Sequence, residues 1–99
     1  MEIIYHRRNS IASLKKTSIN YGVEVDLRSN GNNLITSHDP YEEGNNFIDW
    51  LKFYEHRTLI INVKEEGLER KIIYFLNKFN IKSYFFLDQS FPYLLKTAE

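Results

Sequence analysis

The chain has 99 residues, of which 42% are hydrophobic and 15% aromatic, so it can build one small domain with its own core. Thirteen basic and thirteen acidic residues cancel, which excludes a general attraction to nucleic acid or to an anionic membrane. The absence of cysteine excludes disulfides and thiolate-bound metals. No run approaches the roughly 20 apolar residues of a membrane helix, and the start lacks the apolar run of a signal peptide. We therefore expect a cytoplasmic protein without a membrane span.

The first half of the chain predicts three strands and one helix. Short apolar or alternating runs predict strands at residues 3–5, 23–28 and 34–37. Asn9 or Ser10 can cap a helix between the first two strands. The turn residues at 30–33 join the second strand to the third, so these two are expected to form a hairpin.

The second half predicts two more strands and amphipathic helices between and after them. The strand patterns lie at 58–64 and 84–88, and the helical patterns lie at 47–54, 68–79 and 91–95. Because strands alternate with helices, the pattern predicts a parallel sheet covered by helices. The carboxyl ends of the main strands then meet at one side of the sheet, which is where functional sites of such folds lie.

Polar residues fall at these strand ends. Glu24 and Asp26 are two residues apart and share a face of the second strand, and Asn62 and Lys64 share a face of a later strand. Two carboxylates on a buried face need a compensating cation. The pair therefore predicts either a metal or a cluster of Arg and Lys, and oxygen ligands without thiolates suit Mg²⁺ or Ca²⁺.

Each of these features also has a simpler interpretation. A Glu-x-Asp pair taken alone is more typical of a solvated edge strand, and the sequence His38-Asp39-Pro40 is typical of a turn. His56 precedes a strand and is expected to be exposed to solvent. What favours a site is that five polar features fall at the same ends of successive strands.

Together these residues resemble the N-terminal part of the glycerophosphodiester phosphodiesterases, of the phospholipase-C-like phosphodiesterase superfamily. The matching positions are His6-Arg7, Asn9, Glu24-Val25-Asp26 and His38-Asp39, in the family's order. The resemblance implies an α/β fold, with parallel βα units that form roughly the first half of a TIM (β/α)₈ barrel and a β-hairpin insertion after strand two. A complete barrel takes about 250 residues, so we expect residues 1–99 to form a single partial domain, truncated or fragmentary, with little activity alone. Its bare sheet edges would favour self-association.

The resemblance also implies roles for individual residues. His6 and His38 would be the general acid and base of a phosphodiester hydrolase. Arg7 and Lys64 would bind the phosphate of a small-molecule phosphodiester substrate.

The metal ligands come from the same resemblance. Glu24 and Asp26 would bind a divalent metal, Mg²⁺ or Ca²⁺, and Asn62 stands where the family has a third acidic ligand. The metal would polarise a phosphoryl oxygen. An amide in place of a carboxylate lowers the expected affinity for the metal. Arg8 replaces the usual glycine and is expected to add bulk and charge at the mouth of the site.

Two other functions stay open. The chain is also compatible with a non-catalytic module that binds a phosphate-bearing ligand or supports assembly, on the same fold and without the metal. A small flavodoxin-like domain without catalysis is a third interpretation, although no Gly-rich phosphate loop follows the first strand.

Overall fold

The computed structural model of the protein describes residues 3–37, 44–65, 67–87 and 96–98, the last three by their backbone alone. The elements in chain order are β1 (Ile3–Tyr5), α1 (Ile11–Lys16), β2 (Gly22–Asn30), β3 (Asn33–Thr36), β4 (Asn45–Asn46), α2 (Phe47–Leu51), β5 (Leu59–Val63), α3 (Glu69–Lys78), β6 (Tyr84–Phe86) and β7 (Lys96–Ala98). The helix predicted at 91–95 lies outside the described residues.

The strands of the described residues form one mixed, seven-stranded sheet around β2. Two strands share one edge of β2. β1 pairs in parallel with the start of β2, and β3 pairs antiparallel with its end. The other edge of β2 pairs in parallel with β5, and β5 pairs in parallel with β6. β4 continues the sheet antiparallel to β3, and β7 pairs in parallel with the outer edge of β1.

The prediction of parallel βα units forming half a TIM barrel is wrong. The hairpin predicted after β2 is present, but β3 and β4 extend the same sheet as antiparallel strands, so the sheet is mixed and is not built only of parallel βα units. A turn as short as the one at Gly31, with φ of 64°, can join only antiparallel strands. Residues 96–98, for which no strand is predicted, form β7 and cover the edge of β1 that a half barrel would leave bare. Self-association through bare sheet edges stays a prediction, and this edge of β1 is not one of those available for it.

Most predicted elements are present, with bounds that differ by a few residues. Ser10 rather than Asn9 caps α1, because its Oγ accepts a hydrogen bond from the Ser13 backbone N–H at 3.0 Å. Asn46 caps α2 in the same way through the Ile48 N–H, at 2.9 Å. The helix predicted to reach residue 54 ends at Leu51. Among the described helices, none is long and apolar enough to cross a lipid bilayer.

The hydrophobic core lies between one face of the sheet and the three helices. Its fully buried members include Val23, Val25, Leu27, Leu59 and Ile61 from the sheet and Leu14, Phe47, Trp50, Ile72 and Leu76 from the helices. Burial of each such side chain contributes about 1.5–3 kcal/mol. Because side chains alternate along a strand, Glu24 and Asp26 of β2 lie on the opposite face from this core.

The prediction that His56 is exposed is wrong, since only 8% of the residue is accessible. Its Nε2 atom lies 2.8 Å from the backbone oxygen of Thr17, and its ring centroid lies 5.6 Å from that of Tyr54. Carbonyl groups at the end of a helix have no partner within the helix, and Thr17 is the C-cap of α1. His56 therefore joins the end of α1 to the segment that precedes β5.

Glu65 connects the end of β5 to the β2–β3 hairpin. Its carboxylate accepts hydrogen bonds from the backbone N–H of Ser29, at 2.6 Å, and from the Ser29 hydroxyl, at 2.7 Å. The bond from the Ser29 N–H is the largest cause, and the bond from its hydroxyl the next, of a pKa of Glu65 below its usual value. The ionised form of Glu65 is thus favoured in the folded state.

This lowered pKa predicts a pH-dependent effect of the Glu65→Gln substitution on stability. The unfolded chain binds the proton more tightly than the folded one, so the contribution of Glu65 is present above its unfolded pKa and is lost as the pH falls through its folded pKa. Urea denaturation of the wild type and the variant between about pH 7 and about pH 3 should show two stabilities that converge in acid. A difference that stays constant over this range would contradict the prediction.

Candidate functional site

The candidate site lies where β1 and β5 end, beside the first half of β2. The three strands run parallel, with Tyr5 opposite Val23 and Asp26 opposite Asn62, so their carboxyl ends lie on one side of the sheet. The side chains that meet there belong to His6, Asn9, Glu24, Asp26, Asn62 and Lys64, and we refer to them as the polar cluster. The cluster therefore combines residues of β2 and β5 with residues that follow β1 and β5.

Asp26 is the centre of the polar cluster, and only 1% of its side chain is exposed. Its Oδ2 accepts a hydrogen bond from Asn9 Nδ2 at 3.0 Å, and its Oδ1 accepts one from Asn62 Nδ2 at 3.1 Å. The ammonium of Lys64 lies 3.6 Å from the same Oδ1. Hydrogen bonds to both oxygens and an adjacent positive charge offset the cost of burying this carboxylate.

Asn9 holds the loop after β1 against β2. Besides donating to the carboxylate of Asp26, it accepts the backbone N–H of Asp26 on its Oδ1 at 2.8 Å. One bond in each direction determines which end of the amide faces the carboxylate. Thr36 of β3 adds a hydrogen bond from its hydroxyl to the Asn9 carbonyl. The sequence singled out Asn9 as a cap and as a position in the resemblance, but not as part of the site.

Glu24 and His6 form the second pair of the cluster. Nδ1 of His6 lies 3.6 Å from Oε1 of Glu24, which is an ion-pair distance rather than a short hydrogen bond. The side chain of Glu24 is 7% exposed and that of His6 is 28% exposed. A carboxylate behind a partly open imidazole can orient the ring for proton transfer.

The two arginines after His6 differ in their surroundings. Arg7 is exposed and has a φ of 50°, a left-handed conformation that is uncommon outside glycine, so the chain turns sharply there. Arg8 Nε donates to the hydroxyl of Thr17 at 3.1 Å, and its guanidinium lies over the ring of Tyr5. The expectation that Arg8 adds charge at the mouth of the site is therefore wrong. Arg7 makes no ion pair within the described residues and lies beside His6.

The polar cluster does not fit the divalent-metal site that the resemblance implies. Mg²⁺ or Ca²⁺ takes about six or more oxygen ligands. Here Asp26 is almost inaccessible, and Asn62 turns its NH₂ group, not its oxygen, toward Asp26. Across the described residues, no group of three or more His, Cys, Asp or Glu side chains is arranged to hold a metal. The cation that faces Asp26 is the ammonium of Lys64.

His38 and Asp39 lie outside the described residues, so the role assigned to His38 stays a prediction. Ser37 is described, and its backbone N–H donates to the carbonyl of Asp26 at 2.9 Å. Of the other residues that the resemblance assigns, His6, Glu24, Asp26, Asn62 and Lys64 lie together in the polar cluster.

The geometry of the polar cluster is the main basis for inferring a function. No protein-family model matches the chain, and searches of curated proteins and of solved structures also find no match.

Proposed function

We propose that the protein binds a small molecule with a phosphodiester group at the polar cluster. The observation that carries this proposal is the position of Lys64, whose ammonium is held at 3.6 Å from Asp26 while 23% of its side chain stays exposed. An ammonium has three N–H donors, so one can face Asp26 while others face a ligand. Positively charged donors bind phosphate oxygens more strongly than neutral ones.

The distribution of charge supports an anionic ligand. The acidic members of the cluster, Glu24 and Asp26, are buried, whereas Lys64 and His6 are partly exposed and Arg7 is exposed. A ligand that arrives from solvent therefore meets the cations and the imidazole before the carboxylates. The formal charges of Arg7 and Lys64 only balance those of the two acids, so recognition depends on directed N–H donors rather than on a net positive field.

The binding proposal predicts unequal effects of three lysine and arginine substitutions. We expect Lys64→Ala and Arg7→Ala each to weaken binding of glycerophosphocholine by about tenfold or more, because a charged hydrogen-bond donor is lost. Lys52→Ala is the matched control, since Lys52 is exposed on the C-cap of α2 and pairs with Asp49 outside the cluster. Isothermal titration calorimetry measures the three affinities. An equal loss in all three variants, or no saturable binding by the wild type, would contradict the proposal.

Phosphodiester hydrolysis of the glycerophosphodiesterase type is the second candidate, and the His6–Glu24 pair favours it. A partly exposed imidazole whose Nδ1 lies 3.6 Å from a buried carboxylate is suited to proton transfer. The resemblance implies His38 as its partner in the reaction. Non-catalytic binding and hydrolysis share the same ligand chemistry, so they are distinguished by turnover.

A turnover assay with bis(p-nitrophenyl) phosphate separates the two candidates. If His6 transfers a proton, His6→Ala should lower kcat by about 100-fold or more. The assay is run in EDTA, in Mg²⁺ and in Ca²⁺, so that a metal requirement appears as a difference between conditions. Binding without turnover would support the non-catalytic module, and turnover that survives His6→Ala would remove the catalytic role of His6.

A further inference from the structure

The charges of Asp26, which is buried, and Lys64, which is partly exposed, already cancel. The side chain of Asp26 is 1% exposed, and its Oδ1 lies 3.6 Å from the Lys64 ammonium. A divalent ion bound to this carboxylate would lie close to a positive charge that is already in place. That repulsion opposes metal binding, although the partial exposure of Lys64 to water weakens it.

The side-chain amides of Asn9 and Asn62 point their NH₂ groups at the carboxylate of Asp26, an orientation that suits a carboxylate with no metal bound to it. Asn62 donates its Nδ2 to Oδ1, and the reverse orientation would place two acceptor oxygens against each other. Asn9 cannot turn its oxygen toward the carboxylate, because that oxygen accepts the Asp26 backbone N–H. Both amides thus present hydrogen-bond donors where a metal would need oxygen ligands.

We infer that Lys64 takes the place of a divalent cation in the polar cluster, and that the protein binds phosphate groups without a metal. The inference rests on the proposed binding function and adds that the phosphate oxygens are bound by the Lys64 ammonium. The neutral amide of Asn62 fits an arrangement with one cation, Lys64, beside Asp26. A carboxylate at position 62 would leave an uncompensated negative charge there. The ligand class is a phosphodiester with one negative charge per phosphate.

The test uses the full chain and two titrations. Glycerophosphocholine is titrated into the protein in EDTA and, separately, in excess Mg²⁺ or Ca²⁺, and each metal is titrated alone. We expect affinities for glycerophosphocholine that agree within about twofold and no saturable metal binding at millimolar concentrations. Binding that requires a metal would overturn the inference and leave the proposed function intact. Absence of binding in every condition would remove both.

A pair of variants tests the same inference without a substrate. Asn62→Glu restores an acidic ligand beside Asp26, so this variant should gain affinity for Mg²⁺ or Ca²⁺ of about tenfold or more over the wild type. Asn77→Glu is the matched control on the exposed surface of α3 and should gain none. Saturable metal binding by the wild type, equal to that of Asn62→Glu, would show that Lys64 does not replace the metal.

Discussion

Asp26→Ala is expected to lower the free energy of unfolding by about 3 kcal/mol. The substitution removes the shared partner of Asn9, Asn62 and Lys64, and it leaves amide donors and a partly buried ammonium without their acceptor. Breaking a buried pair by removing one partner costs about 3–5 kcal/mol, and the partial exposure of Lys64 places this case at the lower end. The site and the stability of the fold therefore depend on the same carboxylate.

Asp26→Asn separates the loss of charge from the loss of volume, and Asp49→Ala is the control at an exposed ion pair. Asp26→Asn keeps the shape of the side chain but places an NH₂ group against the donors of Asn9 or Asn62, so it should cost more than about 1 kcal/mol. Asp49→Ala breaks an exposed pair with Lys52 and should change stability by less than about 0.5 kcal/mol. Urea denaturation gives all three values. If Asp26→Asn were as stable as the wild type, the loss in Asp26→Ala would reflect a cavity and not the charge network.

Local patterns in the sequence predicted the elements but not how the strands pair. The alternation of residues 23–28 identified the core face of β2, because which side chains share a face depends only on the strand period. The pairing of β7 with β1 brings Thr97 beside Ile4, and nothing local in residues 96–98 indicates a strand. Such a contact depends on which edge remains open after the rest of the chain has folded.

The position of the candidate site could be predicted in part, because its residues lie next to the ends of β1 and β5. His6 and Lys64 follow the carboxyl ends of β1 and β5, and the parallel pairing of these strands with β2 places them beside Glu24 and Asp26. Other side chains have partners that no local pattern reveals. Asparagine suits a helix cap and a bond to a carboxylate equally, so residue type alone does not decide the role of Asn9.

Exposure of long or amphipathic side chains was the least predictable property. His56 is buried because the end of α1 supplies a carbonyl acceptor, and Arg8 turns away from the cluster because Thr17 and Tyr5 lie within its reach. Each outcome depends on a neighbour from a different part of the chain. These partners become visible only once the segments are brought together.

Trp50 connects the hydrophobic core to the loop that carries His6 and Arg7. The residue is fully buried, and its ring stacks between those of Phe47 and Tyr54 with centroid distances of 6.0 and 5.8 Å. Its Nε1–H donates to the backbone carbonyl of Arg8 at 2.8 Å. The indole thus positions the loop after β1 through one directed hydrogen bond.

Trp50→Ala should lower the free energy of unfolding by about 3–5 kcal/mol, as expected for loss of a large buried aromatic ring. Trp50→Phe keeps most of the packing but leaves the Arg8 carbonyl without its donor, and should cost about 1–3 kcal/mol. Because Trp50 is the chain's single tryptophan, both variants lose tryptophan fluorescence, so circular dichroism is the suitable measurement.

Trp50→Phe should also weaken phosphodiester binding, because the loop that carries His6 and Arg7 loses an anchor. Phe47→Leu is the matched control, since it reduces a buried ring on the same helix that does not bond to this loop. We expect Trp50→Phe to lower the affinity for glycerophosphocholine by several-fold and Phe47→Leu to leave it near that of the wild type. The amide signals of Arg8 and Asn9 in a ¹⁵N–¹H spectrum should shift only in Trp50→Phe. Equal losses of affinity in both variants would mean that core stability, and not the bond to Arg8, determines how the site is held.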